Sequence, residues 1–282
     1  MTDKPTCEAT HLGPLEDASL YLGDSNFVIN SFEHPLGTLA VAIAACDGKP
    51  NGNEDSAGIV PVANDCLVFM VADGVGGSAT PRKASNTVVQ TLRESLREIE
   101  DEDTRVRTAI LDGIETSNKQ LLNMSTGTAT TLIVADIRDQ QVRTFHVGDS
   151  VAWLVGQRGV IKLQTTPHSP VGFGIEAGLI NETEALKHKD LHIISNVIGS
   201  SDMRVEIGSK TPMAPLDTLL IASDGLFDNV LPDEIVEIIR TGPVGEGAAQ
   251  LCKLALERMA GKEPDKPSKP DDFSAVLFRP NG

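Results

Sequence analysis

Short clusters of acidic residues, spread along the whole chain, constrain its fold more than any other feature of the sequence. The five clusters are Asn53-Glu54-Asp55, Asp73-Gly74-Val75-Gly76-Gly77, Gly148-Asp149-Ser150, Ser223–Asp228 and Asp271-Asp272-Phe273-Ser274. Most of them stand at the end of an apolar run, or directly beside one, that predicts a β-strand. Carboxylates that meet at strand ends repel each other unless a cation lies between them. Because hard divalent cations prefer oxygen ligands, the pattern predicts a metal site.

Length and charge exclude several classes of protein. With 282 residues, 40% of them hydrophobic, the chain is long enough to bury a complete core. Its net charge of −16 argues against a nucleic-acid partner, which normally needs a basic surface, and against an anionic membrane. The four cysteines are widely spaced, so we expect neither a zinc site nor a disulfide framework. With no signal peptide and no apolar run of roughly 18 residues, we expect a cytoplasmic protein.

The apolar periodicity predicts strands, then two helices, many strands, two helices and a last strand. Strands are predicted at 39–46, 57–62, 66–72, 129–137, 141–147, 151–155, 160–163, 191–194, 204–207, 218–222 and 273–278, with the four between 129 and 163 forming one meander. Helices are predicted at 82–100, 103–123, 232–241 and 245–261, with a short one at 182–188. Because strands and helices do not alternate, we expect an α+β fold with helices on antiparallel sheets. We expect one domain, 20–282, after a flexible lead-in, 1–19.

The acidic residues support a specific chemistry. Asp73 and Gly74 leave an apolar strand together, so that a carboxylate and a main-chain carbonyl can bind ions side by side. Asp224 repeats this arrangement after another strand, and Asp271 precedes the last one. Two cations about 3.5–4 Å apart activate a shared water and bind phosphoryl oxygens during in-line attack. The pattern therefore favours Mg²⁺- or Mn²⁺-dependent hydrolysis of phosphate esters, although each cluster alone is also typical of a solvated turn.

The clusters occur as a set in a fixed order. The complete set is Asn53–Ser56, Ala72–Gly77, Thr126–Thr130, Val147–Ser150, Ser223–Asp228 and Asp271–Ser274. In this order the motifs resemble those of the metal-dependent serine/threonine protein phosphatases, the type 2C-like (PPM) family. The form Asp73-Gly74-Val75-Gly76-Gly77 is similar to that of the bacterial branch. The resemblance covers residues 35–279.

The resemblance implies a four-layer α-β-β-α sandwich in which two antiparallel sheets pack face to face with helices outside. It implies that Asp73 bridges two metals, that Gly74 contributes its carbonyl, and that Asp224 and Asp271 complete the catalytic set. It also implies that Glu54 and Asp55 hold water on the metals. Asp149, Asp224 and Asp228 would form a third, weaker metal site. Residues 165–190 correspond to a variable flap that influences the choice of substrate.

The chain departs from the family pattern at two positions. One is Val151, since Gly-Asp-Ser is usually followed by an arginine, and the other is Pro50. Family members often carry a phosphate-binding arginine where this chain has Pro50, and Lys49 is one replacement, with Arg82 and Lys83 as others. A lysine is a point charge and matches a phosphate less well than a guanidinium. Val75 stands where eukaryotic members often have a histidine.

We expect His146 on a strand face and His168 at the surface.

The leading hypothesis is hydrolysis of phosphoserine and phosphothreonine in phosphorylated proteins by a metal-bridging hydroxide. A catalytically weak pseudophosphatase that binds phosphoproteins and a phosphatase of small phosphate esters are the alternatives.

Overall fold

The computed structural model describes residues 7–46, 52–63, 65–97, 99, 103–124, 127–186 and 188–281. The strands are β1 (Thr10–Pro14), β2 (Ser19–Tyr21), β3 (Phe27–His34), β4 (Gly37–Ala44), β5 (Asp55–Ala63), β6 (Cys66–Asp73), β7 (Leu132–Arg138), β8 (Gln141–Val147), β9 (Val151–Val155), β10 (Ile161–Gln164), β11 (Glu206–Ile207), β12 (Thr211–Pro212), β13 (Thr218–Ala222) and β14 (Phe273–Pro280). The helices are α1 (Pro81–Ser95), α2 (Asp103–Asn123), α3 (Pro170–Glu176), α4 (Glu182–Ala185), α5 (Asp224–Phe227), α6 (Pro232–Ile239) and α7 (Val244–Met259).

The strands form two sheets. Sheet 1 has the order β1-β3-β4-β14-β13-β9-β10, and sheet 2 has the order β11-β8-β7-β6-β5-β2, with β12 pairing with β8. The paired strands run antiparallel, apart from β1 and β3, which are parallel. Both sheets are therefore mostly antiparallel, as the sequence predicts.

Three apolar layers hold the two sheets and the helices together. Between the sheets, Phe69 of β6 and Phe278 of β14 pack with ring centroids 5.7 Å apart. Outside sheet 2, Val88 and Leu92 of α1 pack with Ile110 of α2 in a second layer. Burial of each such side chain contributes about 1.5–3 kcal/mol. A third layer joins α6 and α7 to sheet 1. The predicted α-β-β-α sandwich is confirmed.

Helix α1 shows how the sequence determines an element. It begins at Pro81, whose fixed φ and missing N–H suit the first turn. Its buried face contains Val88 and Leu92 at helical spacing, and Leu96 follows the helix end. Thr80 occupies the N-cap position, but its hydroxyl bonds the hydroxyl of Thr128 at 2.7 Å and does not cap the helix.

The predicted meander is wrong because the chain changes sheets after β8. β7 and β8 belong to sheet 2, whereas β9 and β10 belong to sheet 1. Gly148 makes the crossing with a φ of 107°, which strains any residue with a Cβ. A sequence pattern of alternating strands and turns does not distinguish a hairpin from a crossing between two packed sheets.

One edge of sheet 1, formed by β1 and β3, and the predicted strand at 191–194 also differ from expectation. Thr10–Pro14 form β1 within the segment predicted to be a loose lead-in, and they escape prediction because most of their side chains are exposed. Residues 27–34 form β3, in which polar residues interrupt the apolar pattern. Residues 191–194 form a turn and an irregular segment, and Ile193 is 40% exposed.

In the described ranges no helix combines the length and the apolar character that crossing a membrane requires.

Candidate metal centre

Sheet 2 places two carboxylates opposite each other. Asp55 and Asp73 are paired in register at the edge where β5 begins and β6 ends. Residues 66–72 of β6 are apolar and buried, which anchors the strand and leaves Asp73 as its first partly exposed residue. The strand therefore delivers Asp73 to its end, as the apolar run predicts.

Sheet 1 brings further acidic residues to the same place. β13 ends just before Asp224, which opens α5, and β14 begins directly after Asp271 and Asp272. Because β13 and β14 pair antiparallel, with Ala222 opposite Ala275, the end of one strand adjoins the beginning of the other. The three carboxylates therefore lie at a single end of sheet 1.

Two serine hydroxyls connect the sheets at this end. Ser223 and Ser274, both from sheet 1, donate hydrogen bonds to Asp55 Oδ2 of sheet 2, at 2.8 and 2.7 Å. All three side chains are buried, with Asp55 only 1% exposed. The hydroxyls partly offset the desolvation of a buried carboxylate, and they fix its orientation.

Asp272 organises the segment that carries Glu54. Its Oδ1 accepts the backbone N–H of Cys46 at 2.7 Å, and its Oδ2 accepts the backbone N–H of Glu54 at 2.8 Å. The side chain is 1% exposed. Sequence reasoning did not assign this role to Asp272. The local sequence signal for such a role is a carboxylate immediately before a buried strand, and this signal does not distinguish Asp272 from Asp271.

Two glycines allow the backbone to approach closely. A Cβ on Gly74 would lie 2.5 Å from the carbonyl carbon and oxygen of Pro81. A Cβ on Gly225 would lie 1.8 Å from the carbonyl oxygen of Asp272. Contacts this short exclude any side chain, so each Asp-Gly dipeptide serves to pack the end of one strand against a neighbouring segment.

Asp149 follows the crossing between the sheets, and a buried histidine holds that crossing. The backbone N–H of Gly148 donates to His168 Nδ1 at 3.1 Å, and Asn196 Nδ2 donates to the same nitrogen at 2.9 Å. His168 is 7% exposed, so the prediction of a surface histidine is wrong. The ring lies under the α3 segment and positions the turn that carries Asp149.

His146, His168 and Glu206 lie close together but do not form a metal site. The two imidazoles stack with centroids 4.3 Å apart and planes inclined by 23°. Their lone pairs therefore lie in nearly parallel planes and do not converge on one ion. With Nδ1 of His168 accepting two N–H groups, the neutral ring has its proton on Nε2, 3.2 Å from Glu206 Oε2. The cluster supports the crossing at Gly148.

A lysine ammonium lies within the acidic cluster. Lys269 Nζ is 2.5 Å from Asp224 Oδ2, 2.7 Å from Asp228 Oδ2 and 3.6 Å from Asp271 Oδ2. Residues 262–270 lie between the predicted helix at 245–261 and the predicted strand at 273–278, and nothing in their sequence distinguishes Lys269 from the lysines around it. Its contacts depend on the fold alone.

Burial and mutual repulsion disturb the acidities of this cluster. Desolvation, followed by the charges of Asp55 and Asp224, raises the pKa of Asp73 well above its usual range. Desolvation and Asp272 raise the pKa of Asp55 to about 8, and desolvation and Asp224 raise that of Asp149 to about 7. These carboxyl groups therefore tend to keep a proton at neutral pH unless a cation compensates their charge.

The two carboxylates at Lys269 respond differently to it. Burial acts to raise the pKa of Asp224, but the Lys269 ammonium outweighs burial and lowers it. For Asp228, burial and the charge of Asp224 raise the pKa well above its ordinary value in spite of the lysine. One ammonium therefore does not neutralise both groups.

Three buried carboxylate oxygens at this end of the sheets have no hydrogen-bond donor among the described residues. They are Asp55 Oδ1, Asp149 Oδ1 and Asp224 Oδ1. A buried polar atom without a partner costs about 1–3 kcal/mol and normally indicates a bound water or ion. Oxygen atoms of carboxylates suit Mg²⁺ and Mn²⁺, so this donor set fits hard divalent cations.

A cavity of about 310 Å³ opens beside the acidic cluster. Asp149, Asp224 and Asp228 form one wall, and Val171 and Ile175 of the α3 segment contribute to the other. The irregular region predicted at 165–190 therefore lies next to the carboxylates and contains the short helices α3 and α4.

The structure brings together the acidic residues and the glycine that the sequence singles out. They are Glu54, Asp55, Asp73, Gly74, Asp149, Asp224, Asp228 and Asp271. Lys49 and Pro50 lie outside the described residues. Arg82 lies near Gly52, because a Cβ on Gly52 would be 3.5 Å from Arg82 Nη1. Arg82 also lines a hollow next to Glu54.

Comparison with known proteins identifies the family of this chain. The family model described as protein phosphatase 2C matches residues 47–242. A serine/threonine phosphatase, Stp, from Listeria monocytogenes is 30% identical over 198 residues, which cover 67% of this chain and 78% of the relative. The protein phosphatase PhpP from Streptococcus pneumoniae is 29% identical over 196 residues, covering 67% of this chain and 79% of the relative.

Solved structures share the fold. A serine/threonine phosphatase from S. agalactiae superimposes with a TM-score of 0.74 at 24% identity, covering 86% of this chain and 99% of that chain. The catalytic domain of the phosphatase PstP, solved in complex with two manganese ions, gives a TM-score of 0.68 at 24% identity, covering 86% and 98%. By its sequence motifs, its two-sheet sandwich and these matches, the chain belongs to the protein phosphatase 2C family of metal-dependent serine/threonine protein phosphatases.

Proposed function

We propose that the acidic cluster binds a pair of divalent cations, Mg²⁺ or Mn²⁺, and that the protein uses them to hydrolyse phosphoserine and phosphothreonine in proteins. The observation that carries this proposal is the convergence of Asp73, Asp224 and Asp271 at one end of the two sheets, where buried carboxylate oxygens have no donor among the described residues. Cations bound there lower the pKa of a bound water and stabilise charge on the phosphoryl oxygens.

The chain's own residues have distinct tasks in this proposal. Asp73, Asp224 and Asp271 are the metal ligands on which catalysis depends, and the Gly74 carbonyl completes the set. Asp73 would be the ligand common to the bound cations, because it pairs with Asp55 in sheet 2 and lies near enough to Asp224 of sheet 1 to feel its charge. The rigid strands that carry these groups hold them in place before the substrate binds.

Glu54 and Asp55 contribute indirectly. Asp272 accepts the backbone N–H of Glu54 and so holds the segment that carries both carboxylates. Asp55 has one oxygen engaged by two serine hydroxyls and the other without a donor. We assign to both carboxylates the task of accepting hydrogen bonds from water around the ions.

Substrate recognition involves the edges of the centre. The α3 and α4 segment forms a wall of the cavity beside Asp149, and we propose that this flap influences which phosphoproteins bind. Lys49 remains a predicted phosphate ligand. Arg82 is a second one, supported by its place in the hollow next to Glu54, and its guanidinium suits a phosphate better than an ammonium.

We propose phosphorylated proteins in the cytoplasm as partners, because the chain belongs to a family of protein phosphatases. The net charge of −16 disfavours nucleic acid and an anionic membrane as partners. A pseudophosphatase is disfavoured by the presence of every carboxylate that the family pattern requires in one cluster.

A paired assay tests the function. The protein is incubated with a phosphothreonine peptide and, separately, with p-nitrophenyl phosphate, each with Mn²⁺ and with a chelator. We expect Mn²⁺-dependent release of phosphate from the peptide. Tight binding of the peptide without turnover of either substrate would support the pseudophosphatase, and turnover of only the small ester would support the third alternative.

A further inference from the structure

Lys269 competes for oxygens that the family resemblance gives to a third ion. Its ammonium contacts Asp224 Oδ2 and Asp228 Oδ2 at 2.5 and 2.7 Å. These carboxylates, with Asp149, are the predicted third metal site. A divalent cation bound to the same two oxygens at about 2.1 Å would overlap and repel the ammonium.

The fold, and not a chance extension of a surface side chain, brings Lys269 to this place. Its backbone N–H donates to Asn229 Oδ1 at 2.7 Å, and its carbonyl accepts from Asn229 Nδ2 at 2.9 Å. Asn229 is fully buried and also donates to the Gly225 carbonyl at 2.9 Å. The backbone at Lys269 is therefore clamped to the same turn that carries Asp224 and Asp228.

The environment of the ammonium favours its retention. The Lys269 side chain is 31% exposed and those of Asp224 and Asp228 are 16% and 8% exposed. Partial burial strengthens these contacts relative to a surface pair. Removing the lysine would leave neighbouring carboxylates without compensation, which is strongly unfavourable unless another cation replaces it.

We infer that Lys269 is a built-in cation of the metal centre, which takes the place of a third divalent ion at Asp224 and Asp228. This inference rests on the proposed metal centre and adds that the native protein binds two divalent ions, while the lysine supplies the remaining positive charge. Asp228 then acts as a partner of the lysine and not as a metal ligand.

Counting bound ions tests the inference. Mn²⁺ bound at equilibrium is measured by dialysis and elemental analysis for the wild-type protein, Lys269→Met and Lys266→Met. Lys266 lies in the same segment and pairs with Glu234 at 3.1 Å, so its substitution changes the net charge equally outside the cluster. We expect two ions in the wild type and in Lys266→Met, and a third in Lys269→Met, with the affinity at that site about 10- to 100-fold higher.

Two further outcomes separate the inference from the function on which it rests. A third ion bound equally well by the wild type and Lys269→Met, or absent from both, overturns the inference while the two-ion centre stands. No bound Mn²⁺ in the wild type overturns the proposed metal centre itself.

A second variant covers the case in which Lys269→Met does not fold without metal. The double variant Lys269→Met/Asp228→Asn removes one charge of each sign, so we expect it to fold and to bind two ions. If this double variant gains a third ion, Asp228 is not part of the contested site and the inference is wrong. Melting curves with and without Mn²⁺ accompany each count, and we expect Mn²⁺ to raise the melting temperature most in Lys269→Met.

Discussion

The two sides of the acidic cluster stabilise their buried carboxylates by different means. On the neutral-donor side, Asp55 of sheet 2 and Asp272, which precedes β14 of sheet 1, are held by serine hydroxyls and backbone N–H groups. On the ammonium side, Asp224 and Asp228 are held by the ammonium of Lys269. Neutral donors fix the orientation of a carboxylate without compensating its charge. An ammonium compensates that charge and can be replaced by another cation.

This difference explains why the cluster still attracts metal ions. The hydroxyls leave the pKa of Asp55 raised to about 8, mainly by desolvation, and the lysine lowers the pKa of Asp224 but not that of Asp228. Each side therefore has a carboxyl group that ionises at neutral pH only when a cation compensates its charge, and at least one unpartnered oxygen. A cation between the sheets compensates both.

Substitution of the carboxylate between the two sides has the largest expected effect. Asp73→Asn keeps the size of the side chain but removes the charge that the proposed pair of cations would share, so kcat should fall by about 10²- to 10³-fold. Turnover of a phosphothreonine peptide at saturating Mn²⁺ measures the effect. Asp65→Asn, at an exposed turn, is the matched control and should retain normal kcat. Near-normal kcat in Asp73→Asn would contradict the metal assignment.

The neutral-donor side is tested by Asp272. Asp272→Ala leaves the backbone N–H groups of Cys46 and Glu54 without their acceptor, and should reduce the free energy of unfolding by about 2–5 kcal/mol. Asp272→Asn retains one acceptor oxygen and should lose less. Urea denaturation of the metal-free proteins gives both values, and equal stability of Asp272→Ala and the wild type would refute the role of Asp272.

The close approach between the sides is tested at Gly225. Because a Cβ there meets the Asp272 carbonyl at 1.8 Å, Gly225→Ala should cost about 1–3 kcal/mol and weaken Mn²⁺ binding. Gly76→Ala is the control, since a Cβ at Gly76 meets nothing within 4 Å. If both variants melt at the wild-type temperature, the strand-end packing is looser than described.

The raised pKa values of the buried carboxyl groups predict a pH dependence of the metal-free protein. The pKa values of Asp55 and Asp149 are raised to about 8 and about 7 in the folded state from an ordinary 3.8. The folded protein therefore binds more protons than the unfolded chain between these limits, and its stability falls as pH rises from about 4 to 8. Melting temperatures across this range should decline without metal and stay nearly level with Mn²⁺. A metal-free stability that rises with pH would contradict the shifts.

The smallest expected effect concerns the substrate phosphate. If Arg82 binds it, Arg82→Ala should raise KM for a phosphothreonine peptide several-fold and leave kcat nearly unchanged, because a binding contact is lost equally from substrate and transition state. Lys83→Ala, an exposed neighbour, is the control, and Lys49→Ala tests the other predicted ligand. An unchanged KM in Arg82→Ala returns Arg82 to a structural role beside Gly52.

The sequence predicts the strand ends of the centre better than its supports. Asp73 and Asp224 follow uninterrupted apolar runs, and such runs define both a buried strand and the point where it ends. Lys269, Ser274 and His168 contribute through contacts between segments far apart in the chain. No local pattern encodes those contacts, so they emerge only with the fold.

The strands of the two sheets likewise differ in how clearly the sequence predicts them. Strands such as β6, buried on both faces, are visible as apolar runs. β1 has mostly exposed side chains, and β3 has only three fully buried residues, so neither shows a clear period. The assignment of β8 and β9 to different sheets depends on the turn at Gly148, whose conformation is a property of the folded chain.

Anomalous scattering at the manganese absorption edge, from crystals of the protein grown with Mn²⁺, tests the central claim most directly. The account predicts two strong peaks at the end of the two sheets, both in contact with Asp73, and none between Asp224 and Asp228 where Lys269 lies. Crystals that diffract well but show no manganese peak at Asp73 would contradict it.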